Sequence, residues 1–254
     1  MPLEALLFDV DGTLADTERD GHRIAYNAAF AEAGLDWDWT VSLYGELLAI
    51  TGGKERILHY IETQCPNFQR PPDLKGYIAD LHDIKTRHFT QLVHRGGIAA
   101  RPGVKRLLFE ARQAGLRLAI ATTTTPENVQ ALLNTSFDGV EDWFEVIGAG
   151  DVVPNKKPAA DIYSYVMEKM GLHPDRCLAL EDSFNGLQSS LAAGVQTLIS
   201  YNAYTQDHDF SGAALVVDHL GEPDMPCQMT YTGTVSNGAT YVDLELLKRL
   251  HGAQ

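Results

Sequence analysis

The 254-residue sequence predicts an α/β fold: a parallel sheet with helices on both faces, interrupted early by an all-helical insert. Three observations predict it. Short, continuously apolar runs alternate with helical stripes from residue 101 onward. A single run of the same kind, "EALLFD", stands alone at residues 4–9. Between the two lies a stretch, residues 20–92, with helical spacing and no strand signals.

The elements follow in order. Residues 4–9 read as a buried strand, and "HRIAYNAAFAEAGL" as a helix stopped at a glycine. Ile78, Leu81, Ile84, His88 and Leu92 recur at spacings of three and four, the stripe of a second long helix. "CPNFQRPPD" before it is a loop. "RPGVKRLLFEARQAG" opens on Pro-Gly, carries Val104, Leu107, Leu108 and Ala111, and closes at Gly115 as a helix. "LRLAIAT" and "FEVIGAG" are strands, "DIYSYVMEKMG" a helix, "RCLALED" a strand, "NGLQSSLAAG" a helix and "VQTLIS" a strand. Such alternation implies right-handed crossovers. After about residue 220 the pattern thins: "GEPDMPCQMTYTGTVSNG" is loop-like, and "VDLELLKRLH" is a short docked helix.

A hydrophobic fraction of 44% supports a sizeable core. The net charge of −14 argues against non-specific nucleic-acid binding, which needs a positive surface, and against adhesion to an anionic membrane. Cys65, Cys177 and Cys227 show no metal-binding spacing and read as reduced thiols. "MPLEALLF" already reads as strand, which leaves no room for a targeting peptide, and no apolar run is long enough to span a bilayer. The expectation is a soluble cytoplasmic monomer.

Ligands of an open parallel sheet bind beyond the carboxyl ends of its strands, so the residues that end each strand matter most. The first strand ends at Asp9, with Asp11 beyond; the second at Thr122; the third is followed by "GDVVPNKKP", with Lys156 and Lys157; the fourth ends at Glu181-Asp182. Singly, each has an ordinary explanation as a turn, a β-former, a solvated lysine or a helix cap. Jointly they crowd carboxylates that repel one another unless a cation lies among them. Hard oxygen donors in this number suit Mg²⁺, and a lysine and a hydroxyl beside it describe a site for a phosphoryl group.

"FDVDGTLADTE", "ATTT", "KKPAADIY" and "LALEDSFNGL" resemble, in order and spacing, the four motifs of the haloacid dehalogenase-like hydrolase superfamily in its phosphatase branch. The resemblance covers the chain to about residue 220. It implies a Rossmann-like core, residues 1–16 and 97–220, an inserted helical cap domain, residues 17–96, and a C-terminal extension, residues 221–254, packed on the core. It also implies roles. Asp9 is the nucleophile that forms an aspartyl-phosphate, and Asp11 the proton donor and acceptor. Mg²⁺ is held by Asp9, the Asp11 carbonyl and Asp182, with Glu181 acting through water. Thr122 and Lys157 hold the phosphoryl oxygens; Lys157 is preferred to Lys156 because the family's lysine directly precedes a proline. Asn185 and Gly186 orient the metal loop or simply start a helix.

The insert must select the ester. "TGGKE" is a glycine-bearing loop entering a helix, whose free N–H groups suit an anion, with Lys54 and Arg56 adding positive charge. Lys85 and Arg87 flank the apolar stripe of the second helix. Two basic clusters and one core site fit a small phosphosugar with a phosphate at each end. The whole pattern is similar to that of the CbbY-like proteins, which implies a xylulose-1,5-bisphosphate phosphatase. In that likeness Glu18 touches the sugar, Thr51, Gly52, Gly53, Lys54 and Lys85 hold the distal phosphate, and Thr123 and Thr124 line the strand end. A β-phosphoglucomutase-like mutase and a phosphoglycolate-type phosphatase are the alternatives. Lone histidines of the insert, among them His22, read as structural.

Overall fold

The computed structural model describes residues 1–137, 139–231 and 238–252. Strand β1 (Ala5–Phe8) is followed by a π-helical turn, Glu18–His22, and then by α1 (Arg23–Glu32), α2 (Val41–Leu47), α3 (Gly53–Gln64), α4 (Leu74–His94) and α5 (Val104–Gln113). Alternation then begins: β2 (Arg117–Ala121), α6 (Pro126–Ser136), β3 (Phe144–Gly148), α7 (Asp161–Met170), β4 (Cys177–Glu181), α8 (Phe184–Ala192) and β5 (Gln196–Ser200). The chain closes with β6 (Leu215–Val217), β7 (Met229–Tyr231) and α9 (Leu244–Gly252).

The strands form one sheet in the order β3-β2-β1-β4-β5-β6-β7. All pairs are parallel except β6 with β7. Leu6, Phe8, Leu118, Ile120, Leu178 and Leu180 face one side of the sheet and pack against α5, α6 and α9; Ala5, Leu7, Ala119, Cys177 and Ala179 face the other and pack against α7. Both faces are thus apolar, which is why these strands read as continuous hydrophobic runs rather than alternating ones. Helix boundaries follow local chemistry. Thr40, Asp73 and Ser183 accept hydrogen bonds from the N–H groups of Leu43, Gly76 and Gly186, capping α2, α4 and α8.

Within residues 20–92 the elements are all helical, as expected. They enclose their own aromatic core of Tyr26, Phe30, Trp39, Tyr44 and Tyr60 with Ile57, Ile61, Ile78 and Leu81. Three elements depart from the expectation. Leu215–Val217 forms a strand where the sequence carries no strand signal, and Met229–Tyr231 forms one within the predicted loop, of which residues 232–237 lie outside the described residues. Helix α6, directly after the four threonines, was also missed. Among the described residues no helix is long and apolar enough to cross a membrane.

Candidate active site

β1 lies between β2 and β4 with Phe8 level with Ile120 and Leu180. That register brings the residues just past each strand to one rim: Asp9, Thr122 and Asp182, with Glu181 ending β4. The Asp9 N–H donates to the Leu180 carbonyl at 3.0 Å, locking the first motif onto the fourth. Lys157, from the loop after β3, reaches back across the rim. Its Nζ donates to Asp9 Oδ1 at 2.7 Å and to Glu181 Oε1 at 2.6 Å. Tyr163 of α7 donates its hydroxyl to the same Glu181 oxygen at 2.6 Å. Asp182 Oδ2 accepts from Asn202 at 2.7 Å. Lys156, by contrast, turns outward to Glu55 and Asp151 at 2.9 and 3.0 Å.

Asp9, Glu181 and Asp182 each offer an oxygen within 4.8 Å of one another, and all three are buried. Burial is the first cause that pushes Asp9 up to about 7 and Asp182 well above the carboxylate range; the neighbouring carboxylates add to it. One ammonium faces three carboxylates, so the group lacks positive charge. A divalent ion bound by hard oxygens would supply it, and this donor set fits Mg²⁺. Glu181 Oε2 is buried without a hydrogen-bond partner and packs on Gly186, where a Cβ would stand 1.8 Å away. Gly186 is therefore required by Glu181 and not merely by a helix start.

The Asp11 carboxylate lies outside this set. Its Oδ1 accepts from Thr17 Oγ1 at 2.6 Å and meets His22 Nε2 at 2.8 Å. Burial would raise its pKa, but His22 and the Thr17 hydroxyl outweigh that and hold it well below the usual carboxylate range. Two carboxylates two residues apart are thus driven in opposite directions. The π-helical turn carries both Glu18 and His22 back over the first motif. Lys85 Nζ lies 2.8 Å from His22 Nδ1, with Tyr26 and Phe89 rings flanking it; burial lowers its pKa to about 8.

A cavity of about 420 Å³ opens over the rim. Asp9, Asp11, Thr122, Thr123, Lys157 and Asp182 form its core side; Glu18, Thr51, Gly52 and Arg56 form its cap side. Arg56 is held by Tyr44 Oη at 3.1 Å and by the carbonyls of Leu47 and Ile50 at 3.2 Å each. Tyr44 in turn donates to Glu18. Asn185 Nδ2 donates to Thr51 Oγ1 at 2.9 Å, joining cap to core.

Two of the basic residues assigned to a distal phosphate do not line this cavity. Lys54 pairs with Asp151 at 2.5 Å and lines a separate space with Gly53. Lys85 is 3% exposed and buttresses His22 instead of opening into the large cavity. Arg87 pairs with Glu32 on the surface. Thr124 faces inward too, its hydroxyl accepting from Asn128 at 3.1 Å. Tyr44, Tyr163 and Asn202 carry no signal in the sequence, and His22 reads there only as a structural histidine; none belongs to a spacing pattern, and each contacts a residue distant in the chain.

The sequence matches the model of the haloacid dehalogenase-like hydrolases over residues 3–194. It is 46% identical to the plasmid-borne CbbY protein of Cupriavidus necator over 252 residues, 98% of this chain and 97% of that one. The CBBY-like protein of Arabidopsis thaliana is 41% identical across 86% of this chain and 70% of its own length. Crystal structures of CbbY from Rhodobacter sphaeroides, one with phosphate and one of a mutant with xylulose-1,5-bisphosphate, superpose with a TM-score of 0.80 at 45% identity, covering 85% of this chain and 94% of theirs. With the motif residues gathered on one rim as described, the chain belongs to the haloacid dehalogenase-like hydrolases, in the group of the CbbY proteins, and is a phosphatase.

Proposed function

We propose that this phosphatase hydrolyses a sugar bisphosphate, foremost xylulose-1,5-bisphosphate, through an aspartyl-phosphate on Asp9. One observation carries the reading: Asp9 and Lys157, 2.7 Å apart, share a cavity of about 420 Å³ with Thr51, Gly52 and Arg56 on its opposite side. A phosphate handled at Asp9 leaves room for a second anionic group beneath the cap. The complex of a CbbY relative with xylulose-1,5-bisphosphate supports the same length of ligand. In this reading residues 1–16 and 97–220 work as the catalytic core, 17–96 as the cap and 221–254 as an extension on the core.

Asp9 attacks phosphorus and the ester oxygen leaves; Asp11 gives that oxygen a proton, then takes one from the water that cleaves the aspartyl-phosphate. Separating the two tasks between residues 9 and 11 keeps the nucleophile free of proton transfer. Lys157 and the Thr122 hydroxyl hold the non-bridging oxygens and oppose their charge. Mg²⁺, held by Asp9, Asp182 and the Asp11 carbonyl, would draw further charge from the phosphoryl oxygens. Glu181 and Tyr163 keep Lys157 aimed at Asp9. Glu18, fixed by Tyr44, faces the sugar, and Arg56 faces the distal phosphate.

Phosphate release across a panel of sugar mono- and bisphosphates, with Mg²⁺ and after chelation, tests this. Xylulose-1,5-bisphosphate should give the highest kcat/KM, with turnover lost on chelation. Conversion of β-glucose 1-phosphate in the presence of a bisphosphate activator, without phosphate release, would replace hydrolysis by a mutase reaction.

A further inference from the structure

Arg101 ends the second connection between the helical insert and the core. Its N–H donates to the Leu14 carbonyl at 2.9 Å, and its neighbour Ala100 bridges Ala15 in an antiparallel pair, so the two connections touch. Its side chain is 5% exposed and uses its whole donor fork. Nη1 donates to the Gly12 and Ser200 carbonyls, the latter at 2.6 Å; Nη2 donates to Tyr201 and Asp218 carbonyls at 2.5 and 2.6 Å; Nε lies 3.3 Å from Asp16. One guanidinium therefore joins the loop after β1, the loop after β5 and the loop after β6. Only a planar fork reaches so many acceptors at once, and an ammonium cannot replace it.

Gly12 is the sensitive end. It adopts φ +86°, and a Cβ there would stand 2.3 Å from Asp182 Oδ2 and 2.6 Å from Asn202 Nδ2. The Gly12 peptide is thus pressed between Asp182 on one side and Arg101 on its carbonyl, one residue from Asp11. Without the guanidinium, two buried carbonyls and two part-buried ones lose this donor, and the Gly12 end of the turn loses its tie to the loops after β5 and β6.

We infer that Arg101 is a positioning residue for phosphoryl transfer: it does not touch the substrate, but holds the Asp11–Gly12 turn against Asp182 and ties that turn to the hinge of the cap. The inference rests on the roles proposed above for Asp9 and Asp11. A displacement of the turn by about an ångström would cost roughly 100-fold in rate.

Arg101→Lys and Arg101→Ala, measured beside Asp9→Asn with an aryl phosphate and a sugar bisphosphate, test it. Arg101→Lys should lower kcat at least about 10-fold and Arg101→Ala about 100-fold, with KM changed less than about 3-fold for either substrate. Millimolar methylguanidinium should restore part of the Arg101→Ala rate, and methylammonium should not. A folded Arg101→Lys with the parental kcat, or a loss confined to KM, overturns the inference; this variant decides the matter if Arg101→Ala does not fold. A fall in melting temperature with kcat intact assigns Arg101 to stability alone and likewise overturns it. Should Asp9→Asn keep its turnover, the proposed function fails instead.

Discussion

The core side and the cap side of the cavity were both rich in charged residues in the sequence, yet the charged residues singled out on the core side line the cavity more completely than those on the cap side. On the core side Asp9, Thr122, Lys157 and Asp182 line one cavity. On the cap side Arg56, Thr51 and Gly52 reach that cavity, whereas Lys54 and Lys85 do not. The difference teaches where position along the chain fixes position in space. A strand of a parallel sheet has one carboxyl end, and every such end lies on the same edge. A helix has a full circumference, and which part meets the ligand depends on what packs against the rest.

The steepest test of the core side is Asp9, the proposed nucleophile. Asp9→Asn should lower phosphate release at least ~10,000-fold, since a group that forms the covalent intermediate has no substitute. Parental turnover in this variant would break the assignment of the rim. On the cap side the contrast is between two basic residues of one helical turn. Arg56→Ala should lower kcat/KM for a sugar bisphosphate roughly 100-fold, about 3 kcal/mol, because a buried charge facing the ligand is lost. Lys54→Ala should change it less than about 3-fold, as expected of an exposed ion pair. Equal effects from the two would return Lys54 to the ligand.

A smaller effect sharpens what Lys54 does. It joins Asp151, Lys156 and Glu55 in an alternating set of charges that spans cap and core. Lys54→Glu should lower kcat/KM about 2–5-fold at low salt, and adding Asp151→Lys should recover it. Failure of the double variant to recover would remove the charge pairing as the cause.

The smallest effect concerns stability of the metal-free protein. Asp9 is raised from an ordinary 3.8 to about 7, mainly by burial. Between those values the folded chain keeps a proton that the unfolded chain has released, so Asp9 makes stability fall as pH rises from 4 to 7. Urea unfolding at both pH values should show a shallower fall in Asp9→Asn than in the parent. Identical slopes would show that Asp9 titrates normally.

Much of the sheet was legible because its strands are short apolar runs buried on both faces. β6 and β7 were not, because each has three residues, and their pairing supplies what their sequence lacks. The first motif was legible down to Asp9 and Asp11. Its partner His22 was not, since a lone histidine carries no spacing and comes to Asp11 only through a π-helical turn. Lys85 looked like a charged flank of an apolar stripe; in the fold its stem and ammonium lie among Tyr26, Phe89 and His22.

By itself the sequence determined the first five strands of the sheet, the edge at which their carboxyl ends meet and the oxygen-rich set gathered there, because those strands are short apolar runs that all point the same way. The tertiary structure alone decided which cap cations face the cavity, that Tyr163 meets Glu181 and His22 meets Asp11, and that Arg101 spans three loops. Those contacts join residues up to 117 positions apart, as between Arg101 and Asp218, and depend on how helices rotate as they pack. No periodicity within one segment records that rotation.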